Sequence, residues 1–81
     1  MITKGTVVKS KAGRDSGTFC VVIDILPDGS LHLCDGVHQK LSNPKPKNVK
    51  HIAATNTVLK PDEYNRDSDI IHALKSFNGG I

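Results

Sequence analysis

Residues 9–17 concentrate side chains that could hold a phosphate group. They comprise three cations, two serines and two glycines: Lys9, Lys11, Arg14, Ser10, Ser16, Gly13 and Gly17. Cations neutralise phosphate charge, hydroxyls hydrogen-bond to its oxygens, and glycine lets the backbone approach closely. Arg14 is the strongest candidate, because a guanidinium can pair with two phosphate oxygens or stack on an unpaired base. We expect Asp15 to brace the segment by accepting hydrogen bonds. Taken alone, these residues are equally compatible with an ordinary charged hairpin loop.

A second basic segment runs from residue 38 to residue 51 and contains no acidic residue. Its lysines are Lys40, Lys45, Lys47 and Lys50. Two prolines, Pro44 and Pro46, hold this backbone extended, so its lysines lose little conformational entropy on binding. We expect this segment to lie on the same side of the domain as residues 9–17. The two segments together would form one continuous basic surface.

Other chemistry has little support in the sequence. His32 and Cys34 would share one face of a strand, near Cys20 and His38, but no Cys-x-x-Cys pair accompanies them. We therefore expect no metal site and no cofactor. No nucleophile elbow, phosphate-loop lysine motif or catalytic triad order is present, so we expect no enzyme.

Length and charge narrow the class of protein further. A chain of 81 residues forms one small domain, in which a deep catalytic cleft is difficult to build. The net charge of +3 is unevenly distributed. Residues 1–60 carry nine basic and four acidic side chains, whereas residues 61–81 carry two and four. A basic partner surface therefore belongs to the first sixty residues.

The elements that must position these side chains are short strands. Residues 18–26 are apolar on both faces, which predicts a central strand, and residues 27–29 form a turn signal of Pro, Asp and Gly. The prolines exclude residues 42–47 from a central strand. Five short strands predict a small closed or half-closed β-barrel. The predicted strands are Gly5–Ser10, Thr18–Leu26, Ser30–Cys34, Val37–Leu41 and Val49–Thr55.

A helix follows the predicted barrel. Four apolar residues recur at helical spacing after a capping Asp67 or Ser68, and we expect their stripe to pack on the barrel. Pro61 opens a short helical turn before it. The chain thus divides into a barrel, residues 1–56, and a helical extension, residues 57–81. The apolar stripe consists of Ile70, Ile71, Leu74 and Phe77.

The first two predicted strands and their loop resemble a KOW motif, with Gly17 at the position of its characteristic glycine. Val8 to Gly17 reads Val-x-Ser-x-Ala-Gly-Arg-Asp-x-Gly. Further similarity to the bacterial KOW-domain RNA-binding proteins, related to the large-subunit ribosomal protein fourteen-e family, extends over about two-thirds of the chain. It includes Asp35-Gly36, the lysine-proline segment, Val49-Lys50-His51 and Thr55-Asn56.

This resemblance implies a mainly β protein, a five-stranded SH3-like β-barrel with a C-terminal α-helix, that binds RNA. Its partner would be ribosomal RNA or a ribosome-associated structure, with ribosomal proteins as further neighbours. The implied RNA-binding residues are Lys9, Ser10, Lys11, Gly13, Arg14, Gly17, Lys40, Lys45, Lys47 and Lys50. Because no apolar signal segment or long hydrophobic span is present, we expect a cytoplasmic protein without membrane contact, monomeric when free.

Two other functions remain open at this point. One is a KOW-type module that docks on a transcription or translation factor through apolar residues such as Val22, Leu26 and Leu33. The other is a zinc-dependent or redox switch at Cys20 and Cys34.

Overall fold

The computed structural model describes residues 2–14 and 16–78, which form one antiparallel sheet and a C-terminal helix. Strand order across the sheet is β4-β3-β2-β1-β5. The mainly β class with a C-terminal helix is therefore confirmed. The elements are β1 (Thr6–Ser10), β2 (Phe19–Ile25), β3 (Leu31–Cys34), β4 (Lys45–Lys47), β5 (Ile52–Val58) and α1 (Asp67–Leu74), with short 3-10 turns at Val49–His51 and Pro61–Glu63.

Both faces of the sheet are buried around β2, which occupies the predicted central position. Val21 points into a first core cluster with the helix, and Val22 points into a second cluster on the opposite face. The second cluster joins Leu31 of β3 with Ile52 of β5, although two strands separate them in the sheet. The sheet is therefore strongly curved. Among the described residues no strand pairing joins β4 to β5, so closure into a barrel remains a prediction.

The strand predicted at Val37–Leu41 is wrong. Residues 37–39 are bends, Lys40 forms an isolated β-bridge with Asn43, and Leu41 lies in a turn. Asp35 Oδ1 accepts hydrogen bonds from the N–H groups of Val37, His38 and Gln39, each at 2.9 Å. Donors committed to one carboxylate oxygen cannot join a strand ladder.

The fourth strand is instead the lysine-proline segment Lys45–Lys47, which pairs only with β3. Pro46 has no N–H to donate, and an edge strand tolerates that loss. The expectation that this segment is not a central strand is correct. The last strand begins at Ile52, after a 3-10 turn where β structure was predicted, and reaches Val58.

The helix packs on the first cluster through Ile70 and Leu74, as predicted, but three details differ. Ile71 is 44% exposed, and Phe77 packs against the core from beyond the helix end. The N-cap is Arg66, whose side chain has no acceptor for a capping bond, and the Asp67 carboxylate accepts the N–H of Leu41 at 2.8 Å. The predicted cap is therefore wrong, and Asp67 ties the loop before β4 to the helix.

Candidate nucleic-acid interface

The loop between β1 and β2 is held by backbone hydrogen bonds at its base. Ser10 N donates to Thr18 O at 2.9 Å, and Gly17 N donates to Ser10 O at 2.8 Å. A tight turn at the tip is closed by a bond of 3.2 Å from Ser16 N to Gly13 O. Gly17 has a φ of +90°, a backbone conformation that residues with a Cβ rarely adopt. Gly17 therefore shapes this loop through its backbone conformation. Asp15 lies outside the described residues.

The cations of this loop differ in their surroundings. Lys11 and Arg14 are exposed. Lys9 is exposed on β1, with its Nζ 5.7 Å from the centroid of the Phe19 ring, within cation–π range. Ser10 is only 1% exposed, and its hydroxyl donates to Ala12 O at 3.2 Å. Ser10 therefore supports the loop from within and is not part of the contact surface predicted for it.

The lysine-proline segment lies against this loop. Lys47 Nζ donates to Ala12 O at 2.9 Å, although 35 residues separate the two. Lys45 and Lys47 alternate with Pro46 on β4, so both lysines share one side of the strand. Lys45 also lines a cleft together with Arg14. The structure thus places Lys45 and Lys47 beside the β1–β2 loop.

Lys50 reaches the same region by another contact. Lys11 N donates to His51 O at 2.8 Å, which fixes the 3-10 turn carrying Lys50 next to the start of the loop. Lys50 is exposed there. Lys40 is also exposed, in the turn between β3 and β4, but no described contact joins it to the β1–β2 loop. We use the name basic surface for Lys11, Arg14, Lys45, Lys47 and Lys50.

A cleft of about 360 Å³ lies between the β1–β2 loop and the loop that follows β3. Sequence reasoning had singled out two of its residues as cations for RNA. It named Asp35 only within the Asp35-Gly36 pair of the resemblance, and it gave no role in binding to Gln39 or Thr18. The lining residues are Arg14, Thr18, Asp35, His38, Gln39 and Lys45.

The far wall of this cleft is fixed by Asp35 and by Gly36. Asp35 is 6% exposed and anchors the three following N–H groups described above. Gly36 has a φ of +82°, and a Cβ at this position would lie 2.5 Å from Asp67 O. Only glycine therefore fits between the loop and α1 at this point.

The two cysteines lie on opposite faces of the sheet. Cys34 is opposite Val21 and belongs to the first cluster, whereas Cys20 belongs to the second. A disulfide between them would require the sheet to break. Burial raises the pKa of the Cys34 thiol to about 11, which makes it a poor nucleophile. These positions contradict a redox switch formed by this pair.

The structure also bears on the apolar docking face and the metal site that were considered from the sequence. Val22 and Leu33 are 0% and 1% exposed. Of the three residues named from the sequence for an apolar docking face, Leu26 alone is partly exposed. Across residues 2–14 and 16–78, no three His, Cys, Asp or Glu side chains gather into a possible metal site. No helix in the same ranges has the length and apolar character to span a membrane.

No protein-family model and no curated protein matches the chain.

Proposed function

We propose that this protein is a noncatalytic RNA-binding module, ribosomal or ribosome-associated, that holds structured RNA through its basic surface. One observation carries the proposal: the hydrogen bond of 2.9 Å from Lys47 Nζ to Ala12 O, which brings two basic segments distant in sequence onto one side of the domain. Separate patches would each neutralise few phosphates. A joined surface can follow a phosphate backbone.

The residues of the basic surface have different roles in this proposal. Lys11, Arg14 and Lys50 are exposed and contact phosphates, with Arg14 also able to pair two oxygens or stack on a base. Lys47 braces the β1–β2 loop while adding positive charge to it. Gly13 and Gly17 shape the loop, both with positive φ. Lys9 lies at the end of β1 where the loop begins, and Lys40 lies in the turn between β3 and β4, outside the basic surface.

The resemblance of residues 8–17 to a KOW motif supports the same function. The motif by itself is independent of the spatial argument, since it covers the first two strands and their loop and not the lysines of β4. The ribosome as the site of action rests on the wider resemblance to the large-subunit ribosomal protein fourteen-e family. The binding of RNA rests on both.

Salt dependence tests the electrostatic basis of the proposal. If about four to six phosphates are neutralised, the logarithm of the binding constant should fall against the logarithm of salt concentration with a slope of about −3 to −5. The measurement is a titration of a ribosomal RNA fragment at several salt concentrations. Binding that persists unchanged in high salt would favour a protein-docking module instead.

A pair of double variants tests the assignment of the site. Lys11→Ala with Arg14→Ala removes two charges from the basic surface. Lys4→Ala with Lys60→Ala removes two charges near Gly5, where Gly5 O accepts the N–H of Leu59, at the end of β1 opposite the loop. We expect the first variant to lose affinity and to flatten the salt slope by about two phosphate contacts. Equal losses in both variants would show that net charge alone, and not this surface, holds the RNA.

A further inference from the structure

The cleft beside the basic surface combines cations at its rim with hydrogen-bond acceptors in its wall. Arg14 comes from the β1–β2 loop and Lys45 from the start of β4. Asp35 and Gln39 come from the loop after β3. Phosphate is attracted to the first pair and repelled by the carboxylate. A ligand suited to the whole cleft therefore carries an anionic group at one end and hydrogen-bond donors at the other.

The two oxygens of the Asp35 carboxylate have different surroundings. Oδ1 accepts the three backbone N–H groups that fix the loop. Oδ2 makes no hydrogen bond within the described residues, and His38 Nδ1 lies 3.6 Å from it. A carboxylate oxygen of this kind accepts strongly from a ligand N–H.

Gln39 provides a second acceptor. Its Oε1 is the one buried side-chain polar atom without a hydrogen-bond partner among the described residues. Leaving a buried acceptor without a hydrogen bond is unfavourable, so a donor that reaches it is bound favourably. Both acceptors belong to residues that line the same cleft, and a ligand that satisfied both would need two donors.

The size and outer lip of the cleft suit a single nucleotide. Its volume of about 360 Å³ is near the lower end of the range of about 300 to 1,000 Å³ found for small-ligand sites. His38 stands at the lip with an exposed side chain. Imidazole and guanidinium groups are among those on which unpaired bases stack in RNA complexes.

From these observations we infer that the cleft takes one unpaired nucleotide of the RNA, with its phosphate at Arg14 and Lys45 and its base edge toward Asp35 and Gln39. Guanine fits best, because its Watson–Crick edge presents an imino N–H and an amino group side by side. Uracil fits worst, because its single N–H lies between two carbonyl oxygens. This inference rests on the proposed function and adds the structural feature of the RNA that is recognised.

Three RNA hairpins of the same stem test the inference: one fully paired, one with a single bulged guanosine and one with a single bulged uridine. We expect the guanosine bulge to bind about fivefold or more tightly than the paired stem, as one or two net hydrogen bonds predict, and the uridine bulge to gain less. Equal affinity for all three hairpins, or a preference for uridine, would overturn the inference while leaving the proposed function intact. Binding of none of them would overturn both.

The substitution Gln39→Leu tests the wall of the cleft itself. Its backbone bonds to Asp35 and Gly36 use the Gln39 carbonyl and remain available to leucine. We expect the variant to bind the paired stem as the unmodified protein does and to lose the guanosine advantage. A retained advantage would refute the role of Gln39. NMR spectra of the variant report whether it is folded, and shifts of the His38 and Thr18 amide signals on addition of the guanosine hairpin, absent with the paired hairpin, give a second measurement.

Discussion

Asp35 is the residue whose replacement most directly tests how the loop after β3 is held. The substitution Asp35→Ala removes the acceptor of three N–H groups at 2.9 Å. Hydrogen bonds to a charged group contribute about 1.5 to 3 kcal/mol each. Val37 and His38 are exposed, so water replaces much of what they lose, while Gln39 is partly buried. We expect the free energy of unfolding to fall by about 2 to 4 kcal/mol.

Asp35→Asn is the matched variant, because its amide oxygen can occupy the position of Oδ1 and accept the same three bonds. It removes the charge and therefore weakens each bond without abolishing it. We expect a loss of about 0.5 to 1.5 kcal/mol. The exposed Asp62 provides a control, and Asp62→Ala should change stability by less than about 0.5 kcal/mol.

Urea unfolding followed by circular dichroism measures these differences. A domain of this length has a total stability of about 4 to 12 kcal/mol, so even the larger loss leaves a measurable transition unless the protein lies at the lower limit. In that case thermal unfolding ranks the variants by stability, since each kcal/mol of lost unfolding free energy lowers Tm by about 4 to 8 °C in a domain of this size. Equal losses in Asp35→Ala and Asp35→Asn, or a loss below about 0.5 kcal/mol in Asp35→Ala, would refute the reasoning that Oδ1 organises the loop.

Three further outcomes follow from packing and titration. Ile70→Ala should lower the free energy of unfolding by about 2 to 5 kcal/mol, because this side chain is fully buried; the exposed Ile71→Ala serves as the comparison and should lose less than about 1 kcal/mol in the same urea titration. Cys34, whose pKa burial raises to about 11, should not react with a thiol reagent at pH 8 until denaturant is added, and rapid labelling of the native protein would contradict its burial. Hydrogen bonds from the Ser30 hydroxyl and N–H lower the pKa of Asp28 below its ordinary value of 3.8. Because a lowered pKa stabilises the fold above that value, a small part of the stability should disappear as pH falls below 3.8, and acid titrations should show this loss reduced in Ser30→Ala.

The order of apolar and charged residues along the chain was sufficient to predict β2, the helix and the β1–β2 loop. The apolar run that forms β2 has no polar face, so only the centre of a sheet could accept it. The helix was found because Ile70 and Leu74 are four residues apart and both must be buried. The β1–β2 loop was recognisable because its cations and glycines are consecutive in the chain.

Other features required contacts between distant residues. Val37–Leu41 has strand-like composition, but the Asp35 carboxylate binds its N–H groups and prevents a ladder. Phe19 illustrates the same dependence: its N–H and carbonyl bond to the Asn78 side chain, 59 residues away, which fastens the end of the chain to β2. The residues adjacent in sequence to Asp35 and to Asn78 do not indicate which N–H groups these two side chains bind.

The sequence by itself determined which residues could hold phosphate, because charge, hydroxyl content and glycine are properties of the residues and not of their neighbours. It also determined a mainly β domain ending in a helix, because apolar spacing is local. Only the tertiary structure decided that Ser10 faces inward, that Lys47 reaches Ala12, and that Gln39 lines a cleft with Asp35. The physical reason is that strand pairing and sheet curvature bring together segments far apart in the chain. The residue pattern within one segment does not show which distant segment it will contact.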